Sequence, residues 1–510
     1  MPSPIEAAAE RRFAALVAAA FALLTIPRLL AHELWRDEAW QWLVVVESRS
    51  LGDLFASMAK GGGIGYAFPL LAYAVKQVST SPRALQLLHL ALATAAAFAF
   101  ARWAPLRRRE RALFVFGYFP FYEYAVISRS YAMGALLLWL ACAATRARRP
   151  ALALGAAVGL LCQTTVYGHI LAMAVVGGWL TQRWLCRHQL PALPRREVLA
   201  GLALAAAGAI AGVVQFIPAA GTRAPTWRFH WEAVAALRPA TMAWRAFVPL
   251  PRLQQTFWNS NVLDPWPSVQ LAAGILALLL GFALLWRSRA AVATFAIGAT
   301  GLLAFSYLYF QGDVRHHGNL WLLLVAALWV GNGVGVTDQP RAWRARVLLA
   351  LLSLHCVAAA YASWMDLRHP FSNGASTAEL IRRRGLDRFP LFGHREPPAA
   401  TVALYLGRPL YAPSRQRFAT RPDWSPQQRE LGEPEVRCAA REFARRQGGD
   451  VVLVINRRLP PWGELDPAGS RTGAIVASED YYLYRLRAPR LAATAEAAQC
   501  PGEAAPDAPG

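Results

Sequence analysis

The sequence predicts an all-α polytopic membrane protein that carries a small C-terminal α/β domain outside the membrane. Apolar residues make up 55% of the 510 residues, and the mean hydropathy is +0.27. Apolar runs close to the length of a membrane-spanning helix recur up to about residue 365, which exceeds what a soluble core needs. After residue 365 the sequence changes to mixed charge, proline and short apolar runs.

About eleven spans are predicted, with a segment at 66–79 that is too short to cross and lies along the membrane or re-enters it. This assignment places the short basic loops in the cytoplasm, as the positive-inside rule requires. The N-terminus is then cytoplasmic, and the C-terminal domain lies on the outer side of the membrane. The predicted spans are 13–31, 84–103, 112–127, 130–145, 151–167, 169–185, 198–217, 267–286, 290–310, 318–336 and 344–364.

The net charge of +22 does not predict binding of nucleic acid. The arginines occur in clusters between apolar runs, where they orient helices against anionic membrane lipid. The predicted domains are a membrane module at 1–365, an α/β domain at 366–491 and a disordered tail at 492–510. The membrane module includes a first outer loop at 32–65 and a long outer loop at 218–265.

The α/β domain is predicted from alternating helical and strand patterns. Helical patterns at 376–384, 397–406 and 434–447 alternate with apolar runs at 389–392 and 451–455. A disulfide between Cys438 and Cys500 is an open alternative, because both would face an oxidising compartment.

Asp37 and Glu38 follow the first apolar span and form the first candidate catalytic group. Neighbouring residues on a helix point about 100° apart, so at most one of the two faces a site. Acidic residues in the first turn of a helix over 37–47 would also stabilise that helix through its dipole. Capping and catalysis therefore both remain open here.

A second candidate group is Glu123, Arg129 and Tyr131, at the outer ends of two consecutive spans. A charge at that depth is usually paired or lies in a polar cavity. Glu123 is the nearest candidate partner of Arg129. The group forms either a substrate site or a structural ion pair that pins two helix ends.

The third candidate group is Arg315, His316 and His317, within the polar segment 311–318 between two apolar spans. A guanidinium offers a bidentate fork to phosphate, and an imidazole adds a donor or a proton near neutral pH. A plain polar turn at the membrane interface is the alternative. Vicinal histidines are poor metal ligands on one helix, and no metal site is predicted.

The long outer loop mixes aromatic and basic side chains, which can line a cleft for a lipid phosphate or sugar or form an ordinary aromatic belt. These residues are Trp227, Phe229, His230, Trp231, Trp244, Phe247, Phe257 and Trp258, with Arg223, Arg228, Arg238, Arg245 and Arg252.

Three short motifs together resemble the GT-C glycosyltransferases, and in particular the protein O-mannosyltransferase and aminoarabinose-transferase branch with its bacterial relatives. The motifs are Arg36-Asp37-Glu38-Ala39-Trp40, Ile127-Ser128-Arg129-Ser130-Tyr131-Ala132 and Arg315-His316-His317-Gly318. The resemblance implies a polyprenyl-phosphate-linked sugar donor and a glycan, lipid or protein acceptor. It further implies a bacterial inner membrane, with the C-terminal domain in the periplasm. It also implies inversion at the anomeric carbon, with Asp37 as general base and Arg315, His316 and His317 on the lipid phosphate.

The chain departs from the family pattern at two places. The His-Pro-Pro-like element of many relatives appears as Ala67-Phe68-Pro69, and no second Asp lies between Ser128 and Tyr131. Two carboxylates would suit a divalent cation, so this incomplete set leads us to predict no cofactor.

Two other function classes fit the same distribution of charge. A flippase or exporter of lipid-linked saccharide would show internal repeats and broken spans, and no repeat is evident in the sequence. A polysaccharide polymerase or ligase also uses outer arginines and histidines, but it has no particular need for Asp37 and Glu38.

Overall fold

The computed structural model describes residues 4–61, 64–222, 229, 232, 237–332 and 342–488. The chain divides into two compact units. The first contains Met1–Ala31, Gly61–Ala219 and Ala224–Leu367, and the second contains His32–Lys60, Ala220–Arg223 and the chain from Arg368. Residues 32–60, assigned above to the membrane module, thus group with the C-terminal domain. The predicted tail at 492–510 and Cys500 lie outside the described residues.

Helices make up most of the described chain. The helices up to residue 216 are α1 (Pro4–Ala31), α2 (Arg36–Glu47), α3 (Leu51–Gly61), α4 (Ala67–Lys76), α5 (Pro82–Trp103), α6 (Arg108–Val115), α7 (Tyr124–Val126), α8 (Tyr131–Ala144), α9 (Pro150–Leu161), α10 (Val166–Leu185) and α11 (Arg195–Phe216). The later helices are α12 (Ala240–Phe247), α13 (Pro267–Leu285), α14 (Arg289–Leu308), α15 (Val314–Gly331), α16 (Ala342–Arg368), α17 (Gly374–Arg383), α18 (Glu396–Leu406) and α19 (Glu433–Gln447).

Six of the described helices are long and apolar enough to cross a membrane, namely α1, α5, α11, α13, α14 and α16. The helices α4, α8 and α9 are apolar but shorter. The segment predicted at 66–79 forms α4, whose ten residues span only about 15 Å, half of a bilayer core. The chain is therefore a multi-pass membrane protein. About eleven spans were predicted, and six of the described helices are long and apolar enough to be such spans.

The predicted span 112–127 is not one helix. It is divided into α6, a π-helical turn at Tyr118–Glu123 and α7. Pro120 lies inside the π-helical turn and has no backbone N–H, so regular α-helical bonding is interrupted there.

Arg28 joins this turn to two helices of the first unit. Its guanidinium donates to the Phe121 carbonyl at 2.8 Å and to the Ser363 hydroxyl at 2.9 Å. It also lies over the Phe121 ring, 3.8 Å from the centroid. Arg28 belongs to α1 and Ser363 to α16, so this buried guanidinium links α1 to both the π-helical turn and α16.

Small residues bring α9 and α11 into very close contact. A Cβ atom on Gly208 would lie 2.3 Å from the Gly159 Cα, and one on Gly201 would lie 2.3 Å from the Ala151 carbonyl oxygen. Backbones that approach this closely gain dispersion energy without a hydrophobic driving force, as is usual between membrane helices.

The second unit contains a six-stranded mixed sheet in the order β3-β2-β1-β4-β6-β5. Strand β1 runs parallel to β2 and β4, and the other pairs are antiparallel. The strands are β1 (Leu391–His394), β2 (Leu410–Ala412), β3 (Arg417–Ala419), β4 (Val451–Ile455), β5 (Leu465–Arg471) and β6 (Tyr481–Leu486).

Both faces of this sheet are covered, and β4 is buried along its whole length. Val451, Leu453 and Ile455 pack with residues of α19 on one face. Val452 and Val454 pack with residues of α17 and α18 on the other. The predicted α/β domain is present, and its predicted helices and apolar runs each overlap an observed element.

The glycine contact between α9 and α11 generates a prediction. Gly208→Ala should lower the melting temperature in lipid nanodiscs, because the added methyl group meets the backbone of Gly159. Gly134→Ala is the matched control, since its Cβ would meet only the Thr164 hydroxyl at 3.7 Å. Ala should there be neutral or stabilising by up to about 1 kcal/mol. Equal melting temperatures for the two variants would contradict the close contact.

Candidate active site

Glu123 is a fully buried carboxylate at the end of the π-helical turn, with 0% of its surface exposed. The Tyr118 hydroxyl and the Trp258 indole N–H donate to its two oxygens, each at 3.1 Å. These neutral donors supply the hydrogen bonds that a buried carboxylate requires.

Trp258 connects Glu123 to Arg315. While its N–H donates to Glu123, its ring lies 5.2 Å from the Arg315 guanidinium carbon in a cation–π contact. Arg315 also forms an ion pair with Asp313 at 2.9 Å, and its backbone carbonyl accepts from the Tyr124 hydroxyl at 2.7 Å. Trp258 thus contacts both Glu123 and Arg315.

The polar segment 311–318, for which a plain turn was the alternative to a substrate site, is helical from residue 314. Arg315, His316 and His317 occupy the first turn of α15 and are all buried. The Asp313 backbone N–H donates to His316 Nδ1 at 2.9 Å, at the start of the helix. This early start places the three side chains on a helical framework instead of on a turn.

The contacts of His316 define its tautomer. Because a backbone N–H can only donate, Nδ1 accepts, and the proton of the neutral ring is on Nε2. That Nε2–H donates to the Tyr131 hydroxyl oxygen, 3.1 Å away. The His316 ring also stacks on Tyr167 with centroids 5.4 Å apart, and Tyr131 stacks on Tyr124 at 5.3 Å. His316 and Tyr131, predicted separately, therefore form one hydrogen-bonded pair.

His317 has a different arrangement. Its Nε2 lies 3.2 Å from the Gln311 carbonyl and must donate there. Its Nδ1 is buried and has no hydrogen-bond partner among the residues that the structure describes. In the neutral ring this Nδ1 is an acceptor, which suits a hydroxyl group.

Arg129 is half-buried just before α8, where its backbone N–H donates to the Ile127 carbonyl at 2.8 Å. The ion pair between Arg129 and Glu123 considered above stays a prediction.

Asp37 and Glu38 lie in the first turn of α2, in the second unit. Glu38 is fully buried, and its Oε2 accepts from the Trp35 backbone N–H at 3.2 Å and from His32 Nε2 at 3.0 Å. Glu38 therefore has the capping role, and Asp37 is half-buried about 100° around the helix.

Glu479 is a second buried carboxylate, which the sequence analysis missed. It has 0% exposure and accepts from the Arg36 backbone N–H at 3.2 Å, at the start of α2. Hydroxyl groups donate to its other oxygen from Ser372 at 3.0 Å, Thr401 at 3.1 Å and Tyr481 at 2.9 Å. Burial raises the pKa of Glu479 to about 7, against the lowering effect of the Arg36 charge and of these hydrogen bonds.

Some of the remaining residues of the long outer loop form polar contacts, and others lie outside the described residues. Arg245 pairs with Asp264, and the Trp244 indole donates to Asn261 at 2.8 Å. Trp227, His230, Trp231, Arg223 and Arg228 lie outside the described residues. Only the general excess of aromatic residues pointed to Trp258. Within the described ranges, no group of three or more His, Cys, Asp or Glu residues is arranged to hold a metal ion.

No protein-family model matches the chain, and no curated protein matches it. Among solved structures, it is similar to ArnT from Cupriavidus metallidurans, both bound to undecaprenyl phosphate and in the apo state. Sequence identity is 13% in each case, the similarity covers 92% of this chain and 97% of ArnT, and the TM-scores are 0.47 and 0.46. At these values the similarity is one of overall chain course and assigns no residue roles.

The link between Glu123 and Trp258 can be tested with Trp258→Phe. The substitution keeps a ring beside Arg315 but removes one of the two hydrogen bonds to the Glu123 carboxylate. We expect a loss of about 1–3 kcal/mol in the free energy of unfolding, the usual effect of an unsatisfied buried acceptor. Trp266→Phe, at a side chain that is 58% exposed, should change little. Equal effects in a thermal unfolding assay would contradict this role of the indole.

The buried position of Glu479 predicts a pH dependence. Its folded-state pKa of about 7 exceeds the ordinary value of 4.5, so the folded protein keeps a proton that the unfolded chain has lost between these values. The free energy of unfolding should therefore fall as pH rises from about 4.5 to 7, by roughly 3 kcal/mol at 1.36 kcal/mol per pH unit.

Thermal unfolding at a series of pH values measures this effect. Glu479→Gln cannot titrate at this position, so its melting temperature should change less over the same window. Parallel profiles for the wild type and the variant would show that Glu479 does not titrate there.

Proposed function

We propose that this chain transfers a sugar from a polyprenyl-phosphate-linked donor to an acceptor hydroxyl at the outer face of a bacterial inner membrane. The observation that carries the proposal is the buried guanidinium of Arg315 in the first turn of a helix of a multi-pass membrane protein. A guanidinium in the first turn of a helix lies at the positive end of the helix dipole, which favours an anion, and phosphate is the anion of a lipid-linked sugar.

Arg315 is proposed to stabilise the lipid phosphate as it leaves. Its guanidinium is held between Asp313 and the Trp258 ring, so it is oriented before substrate binds. Such preorganised charge stabilises negative charge that grows in the transition state. Asp313 offsets part of the positive charge, which favours release of the phosphate product.

The two histidines receive different roles. His316 uses both ring nitrogens within the protein and holds the Tyr131 hydroxyl at 3.1 Å, so it positions Tyr131 for substrate. His317 presents an acceptor nitrogen, which suits a hydroxyl group more than a phosphate oxygen. This division refines the expectation that both histidines bind the phosphate.

Asp37 is proposed as the general base. It would take the proton of the acceptor hydroxyl while that oxygen attacks the anomeric carbon, and the bond from this carbon to the phosphate oxygen breaks. The bond electrons leave with the polyprenyl phosphate, and the sugar is inverted. Glu38 accepts hydrogen bonds from His32 and the Trp35 N–H, and it thereby stabilises the start of the helix that carries Asp37. The proposal includes no divalent cation.

The test is release of free polyprenyl phosphate from a panel of lipid-linked sugars by the full chain in lipid nanodiscs, with an acceptor extract. Asp37→Asn should lower the rate by about 10²–10⁴-fold, the range of general base catalysis. Asp53→Asn is the matched control, because Asp53 is also acidic and lies in the first turn of a helix of the same unit, but is exposed. It should retain activity.

Two outcomes would reject the proposal. Equal rates for Asp37→Asn and the wild type would exclude Asp37 as base. Lipid-linked sugar that crosses the bilayer intact, without release of polyprenyl phosphate, would support the flippase alternative.

A further inference from the structure

Gln41 lies one helical turn after Asp37 on α2. Residues four apart on a helix are neighbours on one face, with Cβ atoms about 5–6 Å apart. Gln41 is also three residues after Glu38, which meets His32, so it lies between the two acidic residues around the helix. The face that carries Asp37 thus also carries a carboxamide.

The Gln41 side chain is fully buried, yet neither its oxygen nor its nitrogen has a hydrogen-bond partner among the residues that the structure describes. A carboxamide has two donors and an acceptor, and to bury them unpaired costs free energy. Other polar groups on the same helix are satisfied, since the Trp40 indole N–H donates to the Pro422 carbonyl at 3.1 Å and Glu38 has two donors. Within α2, Gln41 is therefore the side chain whose buried polar atoms have no partner in the described part of the chain.

The chemistry of the carboxamide selects the class of ligand. A phosphate only accepts hydrogen bonds and would leave the Gln41 oxygen unpaired, and a polyprenyl chain offers none. A sugar hydroxyl both donates and accepts, so two neighbouring hydroxyls can satisfy both ends of one carboxamide.

We propose that Gln41 binds hydroxyl groups of the sugar on the lipid-linked donor, beside Asp37. This inference rests on the proposed transferase function and adds a contact that determines sugar specificity. The unpaired carboxamide is then a functional site whose hydrogen bonds are completed only when substrate is bound.

The experiment compares thermal stabilisation by undecaprenyl phosphate with stabilisation by undecaprenyl-phosphate-linked hexoses and pentoses, using the full chain in lipid nanodiscs. The melting temperature of the wild type should rise more with the best lipid-linked sugar than with undecaprenyl phosphate alone, and we call this difference the sugar increment. Gln41→Leu should keep the undecaprenyl phosphate response and lose the sugar increment, with affinity for the lipid-linked sugar about ten-fold weaker, as loss of one or two hydrogen bonds implies. Its melting temperature without ligand should equal or exceed that of wild type, because the variant removes an unpaired polar group.

Gln270→Leu is the matched control. Gln270 is also buried, but its amide donates to Asp264 at 2.9 Å, so this variant should lose stability without ligand. If Gln41→Leu loses stability in the same way, the carboxamide is a structural group, and the inference is wrong. It is equally overturned if the sugar increment survives in Gln41→Leu or is absent from wild type.

Failure of the proposed function is recognised separately. A Gln41-dependent sugar increment combined with unchanged release of polyprenyl phosphate by Asp37→Asn would retain the sugar site and reject Asp37 as base.

Discussion

A carboxylate removed from water must be hydrogen-bonded by the surrounding protein, and this requirement organises both units of the chain. Glu123 is satisfied by Tyr118 and Trp258, which places the indole beside Arg315. Glu479 is satisfied by three hydroxyl groups and by the backbone N–H of Arg36 at the start of α2. In each unit, the candidate site residues thus contact groups that form hydrogen bonds with a buried carboxyl group.

The first unit adds a second constraint, which is the π-helical turn at Tyr118–Glu123 that interrupts the helix. A π-helical turn lets side chains diverge from the regular helical rows, and such turns are frequent at functional sites. Here the turn brings Tyr118 and Glu123 into contact, while Arg28 fastens its Phe121 carbonyl. Regular helix through this segment would put these side chains in different places, so the local irregularity is part of how the site is built.

Periodicity in the sequence predicted the α/β domain well, because α17, α18, α19 and β4 each carry a clear local pattern. It failed where tertiary contacts decide. The span at 112–127 was predicted as one continuous helix because its apolar residues run through the interruption at Pro120. Glu479 lies in a short turn with no motif, and its role depends on residues far away in sequence. Trp258 could not be distinguished from the other tryptophans of its loop, since only its neighbours reveal its two contacts.

The hydrogen bond between Arg36 and Glu479 joins residues 443 positions apart. During synthesis at ~5–20 residues per second, α2 therefore leaves the ribosome roughly 20–90 s before its partner exists. In that interval the helix that carries Asp37 has its local Glu38 cap, but its Arg36 N–H lacks the Glu479 acceptor, while later membrane helices are being inserted. The order of translation thus makes the contact with Glu479 a late step in assembling this helix. In a chain truncated before Glu479, the Arg36 N–H would lack this acceptor.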